Sequence, residues 1–98
     1  MKEVILTQNA IADIDSIEDF ISTHYSVPNS ISKFRRDLEN VLEEIAEFPE
    51  SGVSYREIEG DVVRKWVRNR YIYLYVEYSV SIRILQISYE KTDWQNRK

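Results

Sequence analysis

Residues 61–78 read DVVRKWVRNRYIYLYVEY, and the fold turns on how they are arranged. Val63, Lys65 and Val67 alternate with Arg64, Trp66 and Arg68. After Asn69-Arg70, Ile72, Leu74 and Val76 alternate with Tyr71, Tyr73 and Tyr75. A period of two, rich in β-branched and aromatic residues, marks strands, and the polar pair between them makes a hairpin turn. Ile72, Leu74 and Val76 form an all-aliphatic face, which is expected to lie on a core. The opposite face sets tyrosines beside arginines, which are costly to bury dry, so it is expected to stay open.

Downstream, Ser79 and Ser81 flank Val80 in a tight turn, residues 82–89 (IRILQISY) make a further strand, and a polar tail follows. Upstream, residues 53–61 (VSYREIEGD) read as a mixed polar connection, with Gly60-Asp61 as a turn. Phe48-Pro49-Glu50-Ser51-Gly52 stops what precedes it, since proline ends a helix and glycine turns the chain. Residues 28–47 carry Ile31, Phe34, Leu38, Val41, Leu42 and Ile45 at helical spacing. Pro28 is expected in the first turn of that helix, where its missing N–H costs nothing. Arg35 and Glu39 stand four apart, so an ion pair along the helix is expected.

Residues 10–25 make another amphipathic helix, with Ile14, Ile17 and Ile21 in its stripe, Ala10, Ile11 and Phe20 widening it, and Gln8 or Asn9 as cap. His24 and Tyr25 fall at its C-terminal end, where a histidine is favoured electrostatically. Residues 3–7 (EVILT) suit a first strand. The order is strand, helical hairpin, three-stranded antiparallel meander: a two-layer α+β fold in a single domain over residues 1–98.

The net charge is −4. Residues 1–50 hold 4 Lys+Arg and 11 Asp+Glu, net −7, whereas residues 51–98 hold 9 and 6, net +3. Whole-chain charge argues against general nucleic-acid binding, while the second half keeps a local basic surface. With no cysteine and one histidine there is no disulfide framework and no metal site built on those residues. No apolar run approaches the ~20 residues that span a bilayer, so no membrane partner and a cytoplasmic location are expected. Phosphate-cradling loops, zinc spacings and nucleophile elbows are missing, and no cofactor is expected. Asp13, Asp15, Glu43 and Glu44 read as solvated helix faces. The candidate surface is the open sheet side and its rim: Arg64, Arg68, Arg70, Arg83 and Lys91, with Trp66, Tyr71, Tyr73, Tyr75 and Tyr89. Guanidinium groups grip phosphate or carboxylate bidentately and aromatic faces stack bases, so a polynucleotide or an acidic protein segment would fit.

In the order and spacing of its motifs, nearly the whole chain resembles the RelE/ParE superfamily of toxins from type II toxin–antitoxin modules, the ParE-like branch most closely. The similar stretches are Ala10…Asp13-Ile14…Ile17…Phe20-Ile21, the Phe48-Pro49-Glu50-Ser51-Gly52 turn, Arg64-Lys65-Trp66 followed by Tyr71-Ile72-Tyr73-Leu74-Tyr75, and Ile84 through Trp94. The resemblance implies a RelE/ParE-like fold and a cognate antitoxin as partner. It also implies one of two actions: poisoning of DNA gyrase, as in ParE-like members, or ribosome-dependent mRNA cleavage, as in RelE-like members. Ile72 stands where the endonucleases carry an arginine, Gln86 replaces a common arginine and Tyr89 a common histidine. The gyrase reading is therefore preferred, with Arg64, Lys65, Trp66, Arg68, Arg83, Lys91, Asp93 and Trp94 as binding residues. The alternatives are a ribonuclease using Arg64, Lys65, Arg83 and Tyr89, and an inactive homologue that serves as a binding module.

Overall fold

The computed structural model describes residues 2–24 and 29–90. The chain runs through strand β1 (Glu3–Leu6), helices α1 (Gln8–His24) and α2 (Ser30–Glu47), a single 3-10 turn (Pro49–Ser51), and strands β2 (Val53–Ile58), β3 (Asp61–Arg68), β4 (Tyr71–Glu77) and β5 (Ser81–Tyr89). The strands form one sheet in the order β1-β5-β4-β3-β2. β2 to β5 are an antiparallel meander, and β1 adds to β5 in parallel.

The α+β, two-layer architecture is the one expected from sequence, with one more strand. Residues 53–58 are β2, not a polar connection. Val53, Tyr55 and Ile58 supply strand-forming side chains there, but all six residues are exposed, so no clean alternation marks the strand.

Thr7, not Gln8 or Asn9, caps α1: its hydroxyl accepts from the Ala10 N–H at 3.2 Å and donates to the Ile84 carbonyl at 2.8 Å. β1 pairs with β5 only as far as Leu6–Ile84. The next stretch of that edge is held by α1 instead, through Asn9 Nδ2 to the Leu85 carbonyl (3.1 Å) and the Ile87 N–H to Asp13 Oδ2 (2.9 Å). Arg35 does not pair along its own helix with Glu39; it crosses to Glu18 of α1 with two bonds of 2.6 and 3.1 Å. His24 sits exposed in the last turn of α1, its ring stacked on Phe20 at 4.0 Å. Phe20 and Ile11, expected in the apolar stripe, are about half exposed. Pro28 and Tyr25 lie outside the described residues.

The larger correction concerns which side of the sheet the helices cover. Ala10, Leu38, Val41 and Ile45 pack against Trp66, Tyr73, Tyr75, Ile82, Ile84 and Ile87. The aromatic side is thus the main core, and Ile72, Leu74 and Val76 lie on the other face with Val63 and Leu85. β5 decides this. Ile82, Ile84 and Ile87 face the helices, while Arg83, Gln86 and Ser88 fall opposite and pair with Val76, Leu74 and Ile72. Burying the β5 isoleucines under α1 and α2 therefore commits the β4 tyrosines to the same side.

Candidate functional site

The Phe48–Gly52 turn is locked to the sheet by two side chains. Tyr75 Oη donates to the Pro49 carbonyl at 2.7 Å and accepts from the Gly52 N–H at 3.2 Å. Arg64 donates to the Gly52 carbonyl at 3.0 Å and the Glu50 carbonyl at 3.4 Å. A side chain at position 52 would collide with the Tyr75 phenol, which explains a glycine there. Burial, partly offset by the Gly52 hydrogen bond, raises the Tyr75 phenol above its ordinary pKa. Burial likewise raises that of Tyr73. Both hydroxyls stay protonated in the physiological range.

Beside this turn β2 stops short. Its first residue, Val53, pairs with Lys65, so Trp66, Val67 and Arg68 of β3 have no β2 neighbour. Glu44, Phe48, Ser51, Val53, Lys65, Trp66, Val67 and Arg68 surround the resulting notch, about 530 Å³ in volume. Arg68 bonds Glu44 of α2 at 2.9 Å and lies 5.9 Å from the Trp66 ring. Trp66 itself is only 8% exposed and belongs to the helix-side core. The notch thus gathers three of the expected binding residues, Lys65, Trp66 and Arg68.

The second surface is the face the helices leave open. Arg56, Val63, Val76, Arg83 and Ile5 line up across all five strands, each paired with the next. A neighbouring line runs Val53, Lys65, Leu74 and Gln86. Val63, Leu74 and Val76 are buried on this face. Arg83 lies 5.5 Å from the Tyr78 ring, whose hydroxyl donates to Asp61. Three cations, Arg56, Lys65 and Arg83, thus share a face with Glu3 and Asp61 at its margins, a surface suited to an anionic partner. Arg56 was not singled out from sequence, because residues 53–58 were not read as a strand; the Val, Tyr and Ile at 53, 55 and 58 were the available signal.

The expected residues are divided. Arg64, Trp66, Arg68 and Tyr89 belong to the helix side, where Tyr89 packs on Tyr71 at 5.4 Å and Tyr71 on Phe34 of α2 at 5.3 Å. Lys65 and Arg83 belong to the open face. Tyr71, Tyr73 and Tyr75, expected on an open surface, line the core instead. Lys91, Asp93 and Trp94 lie outside the described residues. Among the described residues no three His, Cys, Asp or Glu side chains converge to hold a metal, and no helix is long and apolar enough to cross a membrane.

Residues 4–94 match a family model described as the ParE toxin of the type II toxin–antitoxin system parDE. Among solved structures, the chromosomal ParDE toxin–antitoxin system from P. aeruginosa is similar in fold, with a TM-score of 0.69 at 21% identity. The similarity covers 91% of this chain and 96% of that one. No curated protein matches the sequence.

Proposed function

This chain belongs to the ParE toxin family of type II toxin–antitoxin systems, and from that premise we propose that it arrests growth by binding DNA gyrase and is neutralised by a cognate antitoxin. The observation that carries the proposal is the division of the alternative, RNA-cleaving set. Cleavage needs a proton-transfer group and oxyanion-stabilising cations around one scissile phosphate. Tyr89 and Arg64 stand on the helix side of the sheet, and Lys65 and Arg83 on the open side. Arg64 is also committed to the carbonyls of Glu50 and Gly52. These four groups cannot converge on one phosphate through the thickness of a sheet. Binding asks less: a rigid surface with cations around an apolar floor, which Arg56, Lys65 and Arg83 supply around Val63, Leu74 and Val76.

Tightly controlled expression tests this. Induction is expected to stop growth, co-expression of the cognate antitoxin is expected to restore it, and Tyr89→Phe is expected to remain toxic. Loss of toxicity in Tyr89→Phe, together with mRNA cleavage on ribosomes by the parent chain, would overturn the gyrase reading in favour of the ribonuclease. Growth unaffected by induction would leave an inactive binding module.

A further inference from the structure

Large apolar side chains that reach solvent gather at one edge of the sheet: Phe48, Val53, Tyr55, Ile58, Val62 and Val67. β2 is the outermost strand there, every residue of it is exposed, and among the described residues no strand pairs with its outer side. Such an edge is a template for another strand. We propose that it takes β2 of a second copy of this chain, antiparallel, about a two-fold axis between Tyr55 and Arg56.

The sequence of β2 is complementary to itself in that register. Val53 of each copy faces Ile58 of the other, Ser54 faces Glu57, and Tyr55 faces Arg56. Opposed residues in a sheet must share a face, and in a regular strand residues five apart do not. Here they do. The pairing of β2 with β3 shifts between Ser54 and Arg56, so Val53, Arg56 and Ile58 line up with Lys65, Val63 and Asp61 on the open face. Ser54 and Glu57 line up with Arg64 and Val62 on the helix side. The irregularity that would otherwise blunt an edge thus brings Val53, 71% exposed, opposite Ile58 of the second copy on one face. On the other face a hydroxyl donor meets a carboxylate. Within one chain Arg56 already lies 5.7 Å from the Tyr55 ring, so the guanidinium and that ring are compatible neighbours.

A two-fold axis perpendicular to the sheet keeps the open faces on the same side. Arg56, Lys65 and Arg83 of both copies then form one continuous basic surface, whatever its target is. Six residues per copy make a small contact and the two Arg56 side chains approach each other, so the dimer is concentration-dependent.

The absence of cysteine allows a register-specific test. Oxidation of the purified Val53→Cys/Ile58→Cys variant is expected to give a disulfide-linked dimer. Val53→Cys alone is not, because the two copies of residue 53 would stand ~17 Å apart, beyond the roughly 7 Å a disulfide can span. By light scattering, the unmodified chain is expected to rise toward twice the monomer mass with concentration. Ile58→Lys, an exposed change with its fold checked by circular dichroism, is expected to stay monomeric. A chain that is monomeric throughout the accessible range, or a Val53→Cys variant that cross-links as well as the double variant, would overturn the proposal and leave the edge to a strand of a different protein.

Discussion

Tyr75 looks, in sequence, like one of three similar tyrosines on a strand. Its ring fills the core under α2 while its hydroxyl joins Pro49 and Gly52, tying the end of the helical layer to the sheet. Tyr75→Phe keeps the ring but leaves the buried Gly52 N–H without its acceptor, and should cost ~1–3 kcal/mol in chemical denaturation. The proline and glycine of that turn are legible as a helix stop. The partner that demands the glycine is not, because it lies 23 residues away in the chain. Asp13 is a similar case. It reads as one more acid on a solvated helix, yet it accepts the Ile87 N–H, and partial burial raises its pKa despite that bond. Asp13→Asn keeps an acceptor without the charge and should be near neutral in stability, whereas Asp13→Ala should lose roughly 1–2 kcal/mol in the same measurement.

Between elements, the two-residue turn joining β3 and β4 places both Asn69 and Arg70 in the left-handed region, at φ 55° and 71°. That is the turn a tight hairpin wants, but asparagine and glycine tolerate it and arginine does not. Arg70→Gly should therefore raise stability by up to ~1 kcal/mol, read as a higher thermal midpoint. The helices are joined across their faces by Glu18 and Arg35. The Arg35 hydrogen bond, opposed by some burial, lowers the Glu18 pKa. A lowered folded pKa means that its contribution is full above the ordinary carboxylate range and is lost as pH falls through the folded value. Solvent screens Arg35, so the effect is modest. The stability difference between the parent and Glu18→Gln should shrink as acid is added, and a difference that is flat with pH would show the pair to be inert.

The helices, β1, and β3 to β5 were legible because their apolar spacing is regular. β2 was not, because an edge strand exposed on every side has no period to read. Nor was the side of the sheet that meets the helices, for a related reason. β4 is buried on both faces, so its own alternation cannot say which face is which. The strand that settles it, β5, changes register between Leu74 and Tyr75 of its partner, and a single inserted residue transfers every later side chain to the opposite face.

At the scale of the whole molecule, the inversion of the sheet redistributes the expected site. Arg64 and Trp66 are engaged in holding the fold together, and Arg68 closes the notch against Glu44. The cations on the face the helices leave open are Arg56, Lys65 and Arg83, and they stand on a different face from Tyr89. The proposed function, binding a target instead of cutting it, rests on this division. The most direct test is the supercoiling activity of purified DNA gyrase titrated with the purified chain. Inhibition is expected, weakened severalfold by Lys65→Glu/Arg83→Glu and unchanged by Tyr89→Phe. Supercoiling that proceeds unimpaired at every ratio, while the same preparation cleaves mRNA on ribosomes, would contradict it.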